Sequence, residues 1–243
     1  MNHSAAVPVT GPALEPSGKR GWPKFLRQLR YQIFYGLLLS RRYSLVTLGD
    51  TSLGLQWTLH PDGLDSRSIV YAGGVGGDIT FEHALVNRCG CRIELFDPSP
   101  SGLKTMELPE NRIPQFRFHP VALTSKVGTI SMAPPPPGEV SWYAQGNDSA
   151  TIQVPSTDLA SLMRKNGHEH IDLIKIDIEG SEYEVIEDIL KKRIPIRQIC
   201  VEYHHGIVPG IRRSQTIRSM LKLVRAGYKL LYQEGANHTF LKP

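Results

Sequence analysis

The stretch Ser68–Pro98 constrains the fold of this chain more than any other. A short apolar run enters a glycine-dense turn, Tyr71-Ala72-Gly73-Gly74-Val75-Gly76-Gly77-Asp78. Ser68–Tyr71 has β-branched and aromatic character, Ile79–Arg88 has helical spacing, and Cys91–Phe96 is a second apolar run closed by Asp97-Pro98. The pattern reads strand, turn, helix, strand, which is half of a nucleotide-binding sheet.

Glycines in such a turn let the backbone take positive φ and let a ligand come close, while the helix start beyond it offers free amide donors and a positive dipole end. The dinucleotide fingerprint G-x-G-x-x-G fails, because counting from Gly74 and Gly76 puts Ile79 where the third glycine belongs. NAD is therefore not the expected ligand. An acid about 20 residues past the turn commonly takes ribose hydroxyls, and Asp97 stands there, so a ribose-bearing ligand is expected.

With 243 residues, 40% of them hydrophobic, the chain can bury one good core, and one domain is expected beyond an N-terminal tail. Lys+Arg of 28 against Asp+Glu of 23 leaves a net charge of +5, but much of the excess lies in Lys19–Arg42. Interleaved basic and aromatic residues are confined to that patch, so nucleic acid is not an expected partner. Cys89, Cys91 and Cys200 form neither a disulfide framework nor a paired metal knuckle, which suits a reducing, cytoplasmic compartment. Met1–Gly18 lacks a leader pattern, and no apolar run approaches a membrane span.

Residues 1–21, rich in proline, glycine, serine and alanine, read as a disordered tail. Residues 22–42 read as an amphipathic basic helix, with Trp22, Leu26, Leu29, Ile33 and Leu37 at three- and four-residue steps. Its stripe suits packing on the domain or across a homo-oligomer; contact with a membrane surface through 22–39 is the less favoured alternative. Residues 43–243 form the expected α/β domain. Tyr43–His60 suggests a hairpin leading into the sheet, with no visible chemistry. Phe116–His119 is a third strand ending at Val121-Ala122, Val127–Met132 an extra strand, and Pro134–Pro137 a surface loop that could border a site. Thr151–Val154 is a strand, and Ser156–Lys165 a helix capped by Ser156 or Thr157 and stopped by Gly167.

The strand Ile171–Ile176, the turn Asp177–Gly180 and a helix from Ser181 to Lys192 follow, with Ser181 placed to cap the helix. Pro195–Tyr203 repeats the pattern, Ser214–Ala226 is the last helix, and Gly227–Tyr232 with His238–Lys242 forms a closing antiparallel hairpin. Strands alternating with helices indicate a doubly wound α/β fold with a mostly parallel sheet. In open sheets of this kind ligands bind outside the carboxyl ends of the strands. That edge collects Gly73–Asp78, Asp97, Ala122, Asp177–Gly180 and Glu202–His205. Acids at helix starts also complement the dipole, so Glu179 is open to either reading, whereas Asp177 directly follows a buried strand.

The segment from Asp172 to Glu182, Asp-Leu-Ile-Lys-Ile-Asp-Ile-Glu-Gly-Ser-Glu, resembles the signature of the FkbM family of S-adenosylmethionine-dependent methyltransferases. Ser68–Asp97 is similar to the family's cofactor turn, Pro120–Leu123 to its third-strand segment, and Glu202-Tyr203-His204 to the end of its fifth strand. The likeness spans roughly Ile69 to Lys242. It implies a seven-stranded sheet with a C-terminal antiparallel hairpin and S-adenosylmethionine held by Gly73, Gly74, Gly77, Asp78, Asp97, Ala122 and Asp177. Tyr71 stands where such enzymes often carry an acid, and Asp78 is a candidate replacement near the cofactor's ammonium. The resemblance also implies a hydroxyl acceptor on a sugar or a glycosylated or polyketide-type metabolite. A hydroxyl wants a base, for which His204 is the first candidate and Glu179 the second. Asp177, Glu202 and His204 could suit a hard cation, but no ligand spacing demands one and no metal is assigned. The alternatives are N-methylation of an amine or protein, and a non-catalytic scaffold that keeps the fold.

Overall fold

The computed structural model describes residues 32–135, 141–143 and 151–243. The chain divides into two units, Met1–Leu37 and Leu38–Pro243. Of the expected basic helix, residues 32–38 are described and are helical (α1), while the expected tail and the start of that helix lie outside the described residues. The helix stops well short of 42. Leu39 forms a parallel bridge with Leu230, and the Ser40 amide donates to the Leu230 carbonyl at 2.8 Å. Among the described residues no helix is long and apolar enough to cross a membrane.

A seven-stranded sheet organises the second unit. It is built from β3 (Ile69–Gly73), β4 (Arg92–Phe96), β5 (Phe116–His119), β9 (Ile171–Ile176), β10 (Ile196–Glu202), β11 (Lys229–Glu234) and β12 (Asn237–Leu241), in the order β11-β12-β10-β9-β3-β4-β5. The first five in chain order run parallel; β12 is antiparallel to β10, and β11 to β12. The closing hairpin is therefore as expected. The helices α2 (Thr80–Cys89), α3 (Pro100–Glu107), α4 (Leu159–Asn166), α5 (Glu182–Lys192) and α6 (Arg213–Arg225) alternate with the strands. The central strands read as near-continuous apolar runs because both their faces are covered, and Leu173, Ile174 and Ile176 of β9 are fully buried. Chain order reverses between β3 and β9, which makes their carboxyl ends the switch point where such sheets open a crevice.

Two smaller sheets flank that crevice. The hairpin β1 (Val46–Asp50) and β2 (Leu55–Leu59) forms its own two-stranded sheet rather than extending the large one. Trp57 and Leu59 nonetheless sit in the core cluster with Val70, Leu85 and Ile93. Gln198 of β10 clamps the hairpin, accepting from the His60 amide at 2.7 Å and donating to its carbonyl at 3.2 Å. The third sheet, β6 (Ala122–Thr124), β8 (Ile152–Asp158) and β7 (Gly128–Met132), corrects the sequence reading twice. The third strand of the main sheet ends at His119, and Ala122 starts a new strand. Ser156 and Thr157 lie in β8 rather than capping a helix, because β8 runs on past Pro155 to pair Ser156–Asp158 with β6. Pro155 has no amide to donate, and its place lies outside that ladder. Asp158 then caps α4, its Oδ1 accepting from the Ser161 amide at 3.0 Å, and Gly167 at φ 73 stops the helix as expected.

His238 on β12 shows how tightly the hairpin is packed. Its ring is buried, Nδ1 lies 2.7 Å from the Ala236 carbonyl, and burial pushes it down from 6.5 to about 4 against the raising effect of that carbonyl. Between those values the unfolded chain takes up a proton that the native ring refuses. The His238 contribution to stability is thus complete above about pH 6.5 and is lost as the pH drops toward 4, by about 3 kcal/mol at the lower end, which the difference between wild type and a His238 variant isolates. Urea titrations at neutral pH and near pH 4 should show this slope, flattened in His238→Gln.

Candidate active site

Register brings the candidate residues to one edge. Gly73 pairs with both Phe96 and Ile176, and Ile176 with Val201, so the next residues out are Gly74, Asp97, Asp177 and Glu202. The seam between β3 and β9 is closed by the Asp177 amide donating to the Gly73 carbonyl at 3.0 Å. Gly74, at φ 88, passes so near that an added Cβ would lie 1.8 Å from the Asp177 carbonyl oxygen. No other residue type fits that position. Beyond this seam lies a cavity of about 390 Å³, in the range of small-molecule sites.

Gly74, Gly77, Asp78, Asp97, Ala122, Asp177 and Glu179 all line the cavity, as does Glu202. Gly73 and His204 do not reach its wall. Gly73 serves packing instead, since a Cβ there would press on Ile178 and Leu123 at 3.2 Å. Asp97 is buried, and its carboxylate is already at work on the turn. Oδ2 accepts from the Val75 and Gly76 amides at 2.9 and 2.8 Å, and Oδ1 from the Ser99 amide at 2.7 Å. Gly102 permits this, because a side chain there would meet the Asp97 carboxyl carbon at 2.4 Å. Asp78 is partly spent as well, Oδ1 accepting from the Thr80 amide and hydroxyl at 3.0 and 2.7 Å. Tyr71 is fully buried, its ring packed on Phe96 and its hydroxyl 2.9 Å from His168 Nδ1.

Sequence reasoning missed a buried pair on the cavity wall. Lys175 Nζ donates to the Gly74 carbonyl at 2.8 Å and stands 3.3 Å from Glu82 Oε1, with the Trp57 ring centroid 5.5 Å away. Burial pulls this amine down, but the charges of Glu82 and Asp177 outweigh it and hold the ammonium charged. Glu82 Oε1 accepts no hydrogen bond. Its signal in the sequence was an acid three residues from Ile79 and from Leu85, on the apolar face of α2. Trp57 also overturns the reading of the first hairpin as chemically silent, since Gly54–Trp57 line the cavity. Of the proline-rich loop expected at the site, Pro136 and Pro137 lie outside the described residues, but Ser141 and Trp142 beyond it reach the wall.

At the ends of β9 and β10, the fully buried Glu182 takes the place expected for a Ser181 cap. Its carboxylate folds back to accept from the Gly180 amide at 3.0 Å and the Ile178 amide at 3.3 Å, and Oε1 meets His204 Nδ1 at 2.7 Å. This holds Glu179 at φ 49, a left-handed conformation that costs a side-chain-bearing residue about 1–2 kcal/mol. His204 Nε2 lies 3.3 Å from Glu179 Oε2 and 3.7 Å from Asp177 Oδ1. Burial alone would lower this imidazole, but the hydrogen bond and charge of Glu182, with Glu179 and Asp177, raise it to about 10. His204 is therefore held as a cation and stands behind the cavity wall. Glu202 faces the cavity directly, and burial, then Asp177, push its carboxyl up to about 7. Burial likewise raises Glu179.

Residues 73–230 match the methyltransferase FkbM domain. The chain belongs to the FkbM methyltransferase family. Among curated proteins it is similar to the human and rat proteins named "Probable methyltransferase-like protein 24", each 28% identical over 166 residues. That alignment covers 67% of this chain but 38% of the human and 39% of the rat protein, so the chain spans well under half the length of these relatives. Similar solved structures include a fibrillarin pre-rRNA processing protein of Methanococcus jannaschii (TM-score 0.42, 10% identity, 73% of this chain and 67% of that one). Another is a precorrin-6y C5,15-methyltransferase of Geobacter metallireducens (TM-score 0.42, 12% identity, 74% and 84%). The signature resemblance is thus a family relation.

In this FkbM domain Asp97 carries the turn whether or not a ligand is bound. Asp97→Ala leaves the Val75, Gly76 and Ser99 amides without their acceptor, and the ligand-free protein should lose about 2–3 kcal/mol, read from denaturant midpoints. An unchanged midpoint would show that the turn holds itself.

Proposed function

We propose that this domain transfers the methyl group of S-adenosylmethionine to a hydroxyl of a sugar or of a glycosylated or polyketide-type metabolite. The observation that carries the reading is the convergence of the glycine turn, Asp97 and the carboxylates of Asp177, Glu179 and Glu202 on one cavity. The residues present suit the cofactor. The Gly74 position admits no side chain, and Asp97 Oδ1 keeps acceptor capacity for a ribose hydroxyl beyond the Ser99 amide. Glu82, which lines the cavity and faces the Lys175 ammonium through Oε1 at 3.3 Å, is a further acid near the turn where Tyr71 stands in a position often held by one. Ala122 and Leu123 contribute apolar wall. When bound, S-adenosylmethionine supplies a methyl group on a cationic sulfur.

The chain's own residues then have two tasks. Methyl transfer needs the acceptor oxygen held in line and water kept out, and Met132 of β7 lines the cavity with Trp142 packed against its cluster. A hydroxyl acceptor must also lose its proton. Glu202 faces the cavity and takes that role in place of His204. An amine acceptor, in contrast, would not need it.

Glu202→Gln should lower kcat about 10²–10⁴-fold, the usual worth of a positioned base, while S-adenosylmethionine affinity measured by calorimetry changes little. Asp97→Ala should weaken that affinity about 10- to 100-fold. Product formation against a panel of hydroxyl and amine acceptors is the deciding assay. Transfer to amines alone rejects the hydroxyl class, full turnover in Glu202→Gln rejects the base, and absence of cofactor binding favours a scaffold that has kept the fold.

A further inference from the structure

We propose that Asp177, Glu179 and His204 bind a divalent transition-metal ion at the edge of the cavity. Each of these residues presents one ligand atom, and the three atoms lie within 4.8 Å of one another. Neighbouring ligands around an ion with bonds of about 2.0–2.2 Å stand roughly 3 Å apart, so a side-chain rotation of about an ångström completes the set. Asp177 and Glu179 belong to the cavity wall, which leaves the remaining coordination positions on the cavity side.

The imidazole carries the argument. The His204 side chain is 5% exposed, and its Nε2 is directed at the Glu179 and Asp177 carboxylates without making a hydrogen bond to either. The opposite nitrogen is fixed by Glu182, which is itself fixed by the Gly180 and Ile178 amides. A carboxylate gripping the far nitrogen of a histidine is the recurrent outer support of a metal-bound imidazole. Charge points the same way. Asp177, Glu179, Glu182 and Glu202 crowd this corner, opposed by His204 and by a Lys175 that also faces Glu82. A metal ion displaces the Nε2 proton of His204, which is released to solvent, and takes its place between the nitrogen and the Glu179 and Asp177 carboxylates, so binding weakens as the pH falls. Two carboxylates with one imidazole favour Mn²⁺ or Zn²⁺ over Mg²⁺ or Ca²⁺, which prefer oxygen alone.

This site does not depend on the methyl-transfer reading and is tested without cofactor. The full chain, stripped with chelator, is titrated with Mn²⁺, followed by the loss of the free-ion paramagnetic signal, and with Zn²⁺ in competition with a chromophoric chelator. One ion per chain and a higher melting temperature are expected. His204→Gln and Glu179→Gln should each weaken binding at least 10-fold, and Glu182→Gln about 10- to 100-fold through the misplaced imidazole. His170→Gln, which alters an exposed histidine paired with Asp172, should leave it unchanged. If His204→Gln does not fold, Glu179→Gln decides, since its partly exposed side chain can change without opening the core. No stoichiometric binding, binding indifferent to Glu179→Gln, or a preference for Mg²⁺ overturns the proposal.

Discussion

The closest contact at the centre of this domain is one in which a side chain has no room. Gly74 passes the Asp177 carbonyl at a distance that excludes even a methyl group, and the Asp177 amide bonds back to Gly73. That seam lets β3 and β9 stay paired to their last residue before the chain diverges. The glycine turn and the Asp177–Gly180 turn therefore open side by side at the switch point. Everything functional follows from that adjacency: the cavity, the buried Lys175 reaching the Gly74 carbonyl, and the carboxylates of β9 and β10 facing the same space.

Around the seam, polar groups do structural and chemical work together. Asp97 shapes the turn through three amides while lining the cavity, and Glu182 shapes the next turn through two amides while orienting His204. Buried charge of this kind is costly unless it is paired and hydrogen-bonded, so each carboxylate that is fully engaged reads as scaffold. Those with spare acceptor capacity toward the cavity are the reactive ones. Glu202 falls in the second class.

The two accessory sheets show how a common core acquires its own site. The β1–β2 hairpin brings Trp57 over Lys175, and the β6-β8-β7 sheet brings Ala122 and Met132 to the opposite wall. Ala122 was expected at that edge, but the parts played by Trp57 and Met132 were not legible in the sequence. Alternation in Tyr43–His60 announces a hairpin but not the surface it covers, and Pro155 looks like the end of a strand until its neighbours are seen pairing with β6.

The sequence by itself determined the doubly wound sheet, the glycine turn, the closing hairpin and the acids at the strand ends. These depend on local periodicity, turn chemistry and the rule that parallel strands discharge their loops at one edge. His204 stands near that edge, but its protonation could not be read there. Its state is set by Glu182, Glu179 and Asp177, which converge on it only when β9 and β10 pair. Glu82 escaped notice for the same reason, because its partner Lys175 lies on a strand far along the chain. Tertiary structure alone decided which charges meet, since electrostatic energy depends on separation in space and on burial, neither of which is written in the order of residues.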